Sequence, residues 1–167
     1  EITDSIVETE RFATFLANWQ TGKRRLLLFR QQTFLKETIS VLAEQFDYVV
    51  IDGEAGIEQI NRRVRQKVTH LILVSDAMKK GIGVIHTIRD VAKELGMYNR
   101  AGAIINRMKK KTVQKYIDTG DIDILSFIPE DDALGLMDVE GRSLLELNES
   151  APALKGLREA LVQINAI

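Results

Sequence analysis

At 167 residues the chain is long enough for one domain with a sizeable core and short for two, so 1–167 is read as a single domain. Its 23 Lys+Arg and 24 Asp+Glu nearly cancel, which argues against nucleic acid or an anionic membrane as the main partner. The absence of cysteine excludes disulfides, thiolate metal sites and thiol nucleophiles and points to a reducing, cytoplasmic compartment. No apolar run approaches the roughly 18 residues of a membrane-spanning helix, and the acidic start Glu1-Ile2-Thr3-Asp4 is not signal-like, so a soluble protein is expected.

In chain order, 6–19 reads first as an amphipathic helix through Ile6, Phe12, Phe15, Leu16 and Trp19. Five short apolar runs follow: 26–29, 48–51, 71–74, 103–105 and 124–127. They are continuous rather than alternating, as strands of a parallel sheet covered on both faces must be. Between them lie helical stripes, Leu35-Ile39-Leu42-Phe46 and Val84-Ile88-Val91-Leu95. Gly96 stands where a left-handed C-cap is expected, and a last helix from Pro152 carries Leu154, Leu157, Leu161 and Ile164 as a core-packing face. Strand and helix alternate, which predicts right-handed crossovers and a doubly wound, mostly parallel three-layer α/β fold. Ligands of such folds sit beyond the carboxyl ends of the strands.

Three stretches fall at those strand ends. Tyr48-Val49-Val50-Ile51-Asp52-Gly53-Glu54-Ala55-Gly56 sets a carboxylate after an apolar run, where it can orient water on a nucleotide-bound Mg²⁺ or merely cap the next helix. Ala103-Ile104-Ile105-Asn106-Arg107 ends a run in an amide able both to donate and to accept; a cap for the following helix is the plainer alternative. Phe127-Ile128-Pro129-Glu130-Asp131 ends the fifth run, and its alternative is a simple strand-terminating proline. His70 and His86 are far apart in sequence, and Lys79-Lys80-Gly81-Ile82-Gly83 reads as a flexible strand-to-helix loop. Lys109-Lys110-Lys111 reads as a solvated helix start.

Taken together, these stretches resemble the MinD/ParA superfamily of P-loop ATPases, to which nitrogenase iron protein is also similar, over 48–167. Asp52 to Glu58 and the residues after Pro129 resemble the nickel-insertion accessory ATPases of carbon monoxide dehydrogenase more than the cell-division and DNA-partition positioning ATPases, which stand as the alternative. The resemblance implies ATP/ADP with Mg²⁺ as cofactor, Asp52 as the Mg-organising Walker B-like acid acting through water, and Gly53, Glu54, Ala55 and Gly56 as the switch loop. It also implies Asn106, Arg107, Pro129, Glu130 and Asp131 as the adenine loop, a nucleotide-dependent homodimer, and a client protein, a metalloenzyme in the accessory ATPases. Glu54 stands where the MinD-like proteins often carry proline, and the Cys-x-Cys metal site of the accessory ATPases has no counterpart here, so direct nickel binding is not implied. The Walker A motif is missing as well: around Gly22-Lys23, Ala17 occupies the position of the first glycine and Arg24 that of Ser/Thr. Two readings follow. Either a P-loop strand precedes the present sequence, and these residues alone are inactive, or the scaffold is a noncatalytic partner-binding module.

Overall fold

The computed structural model describes residues 6–8, 13–15, 41, 44, 46–52, 67–109 and 111–165. The chain divides into two compact units, Glu1–Asp52 and Gly53–Ile167, and each is taken by itself. In the first unit, β1 (Ile6–Glu8) pairs antiparallel with β2 (Ala13–Phe15), with Val7 opposite Thr14. This corrects the expected helix over 6–19: the β-branched Ile6, Val7 and Thr14 favour extended backbone, and three paired residues per strand leave no helical period to satisfy. Residues 48–52 carry no regular secondary structure, and Val50 is 92% exposed. The apolar run there is therefore not a strand, because β propensity forms a strand only against a neighbouring ladder. The runs at 26–29 and most of 35–46 lie outside the described residues.

The second unit holds a three-stranded parallel sheet in the order β3 (Val68–Ser75), β4 (Tyr98–Met108), β5 (Asp123–Pro129). Alternate residues of each run face opposite sides. Leu73, Ala103 and Ile105 pack with Ile82 and Ile85 of α1 (Lys79–Glu94), whereas Ile104 and Leu125 pack with Ala160 of α3 (Pro152–Gln163). Both faces are thus covered, which is why the strands read as unbroken apolar runs.

Both helices bury a stripe displaced from the expected one. In α1 the buried residues are Ile82, Ile85 and Ala92, and Val84 is exposed; in α3 they are Gly156 and Ala160, and Leu157 is exposed. Close approach decides the second case: a Cβ on Gly156 would lie 2.8 Å from Ile128 Cγ1. Small residues let the helix axis come near the sheet, and the leucines flank the contact.

Turns follow the local chemistry. α1 closes at Gly96, whose φ of +61° is the expected left-handed conformation. The segment between β4 and β5 is held to α1, with Asp118 O 3.0 Å from His86 Nε2 and Asp121 paired to Arg89. Among the described residues no helix is long and apolar enough to cross a membrane.

Candidate functional site

Because β3, β4 and β5 are parallel, their carboxyl ends share one edge of the sheet. At the end of β4 the ladder is irregular: pairing with β5 shifts between Ile105 and Met108, so Asn106 and Arg107 stand out of register. Arg107 has φ +55°, a left-handed conformation that a side chain with a Cβ adopts at a cost. Asn106 Oδ1 accepts a hydrogen bond from Arg107 N at 2.8 Å and stabilises that kink. A backbone N–H can face only the oxygen of the carboxamide, so its NH₂ is turned the other way, with no protein partner among the described residues. Asn106 is therefore not the cap of a following helix, and β4 continues two residues past it to Met108.

The same irregularity joins the second loop to the first. Met108 pairs with Pro129, and Glu130 N donates to Met108 O at 3.2 Å, so 106–109 and 129–131 lie side by side. Lys109 Nζ approaches Glu130 Oε2 at 3.8 Å across this junction. Both side chains are largely exposed, so the pair contributes little to stability. Asp131 starts α2 (Asp132–Val139): its Oδ1 accepts from Ala133 N at 3.1 Å and Leu134 N at 3.3 Å. Such a cap contributes about 1 kcal/mol. Its other oxygen, Oδ2, is buried without a hydrogen-bond partner among the described residues.

Asp76 was missed in the sequence. It follows β3 at the same edge and accepts from Met78 N through Oδ1 at 3.0 Å, just before α1 begins. The signal resembled that of Asp52, an acid just past an apolar run, here separated from it by Ser75. The stretch Lys79 to Gly83 is not a loop but the opening of α1. The helix closes onto the strand end there because Gly81 lacks a Cβ, which would lie 2.2 Å from Ser75 Oγ. Nor does a regular α-helix begin at the lysine run: Lys109 is exposed, and a 3₁₀ segment, Lys111–Tyr116, follows.

Asp52 is exposed and belongs to the first unit; Gly53, Glu54, Ala55 and Gly56 lie outside the described residues. The structure thus brings together Asn106, Arg107, Pro129, Glu130 and Asp131. A cavity of about 350 Å³ lies away from them, at the amino ends of the strands among His70, Arg100, Asp123 and Ile164. Among the described residues no cluster of three or more His, Asp or Glu is placed to hold a metal ion.

An amide donor with no protein partner among the described residues and an acidic, partly buried loop, both at the carboxyl edge, are groups of the kind that pair with the hydrogen-bonding edge of a nucleotide base. They do not fit a triphosphate, which needs Gly-rich amides and a lysine. The layered parallel sheet with its loops at this edge has the α/β architecture of P-loop NTPases. Within that class the likeness is to MinD. The chain superposes on the cell-division ATPase MinD of Pyrococcus furiosus with a TM-score of 0.71 and 18% identity, covering 99% of this chain and 70% of that one. For the septum site-determining protein MinD complexed with Mg-ADP from Pyrococcus horikoshii OT3 the values are 0.69, 18%, 99% and 69%. In sequence the chain is similar to two uncharacterized ATP-binding proteins of Methanocaldococcus jannaschii. One is 28% identical over 135 residues, 78% of this chain and 53% of that protein. The other is 27% identical over 96 residues, 55% and 37% respectively. The chain therefore spans about half the length, or less, of these curated relatives. No family model matches it.

Proposed function

We propose that the chain belongs to an ATP-dependent molecular switch of the MinD/ParA type and supplies its base-binding edge and Mg-organising acid. One observation supports this reading: the out-of-register end of β4 and the loop after β5 are joined at Met108, which pairs with Pro129 and accepts from Glu130 two residues past Asn106, so both stretches reach the carboxyl edge of the sheet. The ATP-binding relatives and the MinD-like fold support it. In this reading 1–167 form one P-loop NTPase-like domain, and a nucleotide-dependent homodimer engages a client protein. Asn106 donates to the base, and the 129–131 loop lines it. Asp52 orients water on Mg²⁺, and Gly53 to Gly56 respond to the γ-phosphate. Magnesium, when bound, supplies neutralisation of the charge that develops on the leaving phosphates. The finer assignment, an accessory ATPase in metalloenzyme maturation, rests on the string Asp52 to Glu58 and on the residues after Pro129, and direct nickel binding by these residues is not part of it.

The test of the base site is Asn106→Ala in the full-length protein. Losing the amide strands a polar group of the base, and affinity for ATP and ADP should fall by about 1–3 kcal/mol. Discrimination against GTP should fall with it. Calorimetric titration giving unchanged affinity for both adenine nucleotides removes Asn106 from the site.

A further inference from the structure

We propose that the cavity at the amino ends of the strands binds the zwitterion of a small apolar α-amino acid, with its carboxylate on Arg100 and His70 and its ammonium on Asp123. The strand pairing sets these three residues on one side of the sheet. His70 is the register partner of Arg100, and Asp123 that of Gly102, while residues two apart on a strand share a face. That face is the one α3 covers, because Ile72, Ile104 and Leu125, in phase with them, pack in the cluster of Ala160. Three successive strands thus each bring one charged or titratable side chain to the same end of the same face.

The cavity, of about 350 Å³, lies within the size range of small-molecule sites. Its floor is apolar. Leu125 leans over Gly102, where a Cβ would lie 2.5 Å from Leu125 Cγ, and Ile72 continues the surface on β3. Ile164, at the end of α3, forms a wall.

The charges distinguish this cavity from a packing gap. Arg100 and Asp123 are diagonal neighbours on adjacent strands, so strand spacing and rise set their backbones about 8 Å apart. They nevertheless form no ion pair with each other, and among the described residues neither side chain, nor that of His70, has a hydrogen-bond or ion-pair partner. A cation and an acid held apart at one cavity match a ligand that carries both charges. The guanidinium can take a carboxylate through two parallel N–H donors, the imidazole adds a donor beside it, and the Asp123 carboxylate accepts from the ammonium. A purely anionic ligand would face Asp123, and a purely cationic one would face Arg100. The apolar floor then takes an aliphatic side chain such as that of leucine. This cavity is at the sheet edge opposite 106–109 and 129–131 and does not depend on the nucleotide reading.

The probe is L-leucine, titrated into the full-length protein by calorimetry and followed by backbone amide shifts. Saturable binding at roughly millimolar concentration or below is expected, with the shifts at 70–72, 100–102 and 123–125. Two fragments separate the charges: 4-methylpentanoate lacks the ammonium, 3-methylbutylamine lacks the carboxylate, and each should bind at least about tenfold more weakly. Arg100→Gln should weaken leucine about tenfold or more without weakening 3-methylbutylamine, and Asp123→Asn should do the same without weakening 4-methylpentanoate. Both side chains are exposed, so neither change should move the thermal midpoint. No leucine binding at about 10 mM overturns the proposal, as does binding that ignores both substitutions. Binding of 4-methylpentanoate as tight as that of leucine overturns it in favour of a simple anion site, and equal binding of 3-methylbutylamine in favour of a cation site.

Discussion

Replacing Ile105 by alanine should destabilise the second unit by about 2–5 kcal/mol, the cost of deleting buried methylenes and leaving a cavity that closes only in part. Ile105 has no exposed surface, sits in the middle strand, and packs in the cluster of Leu73, Ile82 and Ile85. Neighbouring strands on both sides fix its backbone, so the site has little room to collapse. In a chain of this size the melting midpoint should drop by on the order of 10 °C. Val74→Ala is the internal comparison: Val74 is 62% exposed on β3, and its loss should change stability by roughly 0.5 kcal/mol or less. Similar shifts for the two variants would mean that Ile105 is not at the centre of the core.

On the proposed Mg-organising role, Asp52→Asn should lower ATP hydrolysis by the full-length protein by at least about a hundredfold. Organising a metal that neutralises departing phosphate contributes several kcal/mol to the transition state, and each 1.36 kcal/mol is tenfold. Nucleotide binding without metal should hardly change, because this carboxylate does not grip the base. The exposure of Asp52 means that the fold should also survive, and circular dichroism serves as the control. A variant that unfolds while its folded fraction turns over normally would make Asp52 a structural residue. Normal turnover in a folded variant would leave the Mg-organising role without a basis.

Much of the second unit was legible in the sequence, and the reasons are local. The runs at 71–74, 103–105 and 124–127 all fall within strands because a doubly covered parallel strand must be apolar on both sides. Gly96 and Pro152 mark helix ends because backbone conformation restricts those positions. Periodicity found α1 and α3 and rightly set Ile88 and Ile164 against the core, but it counted the exposed Val84 and Leu157 in those stripes and passed over Ala92, Gly156 and Ala160, because leucines and valines outweigh small residues in any hydrophobic pattern although close packing prefers the small ones. The hairpin of β1 and β2 was hidden because three-residue strands are too short to show a period of two. At the candidate site, Asn106 and Pro129 were recognisable individually. Their meeting was not, since it depends on the register shift between Ile105 and Met108, which only the folded sheet shows.

The most direct test of the central claim is the footprint of Mg-ADP on the full-length protein, read as backbone amide shift changes in a ¹⁵N-labelled sample. The account predicts the largest changes in the second unit at 106–109 and 129–131, the two loops joined through Met108 and Glu130. The residues around His70, Arg100 and Asp123 at the amino edge should remain still. Shifts concentrated at that amino-edge cavity, with 106–109 and 129–131 unmoved, would contradict it.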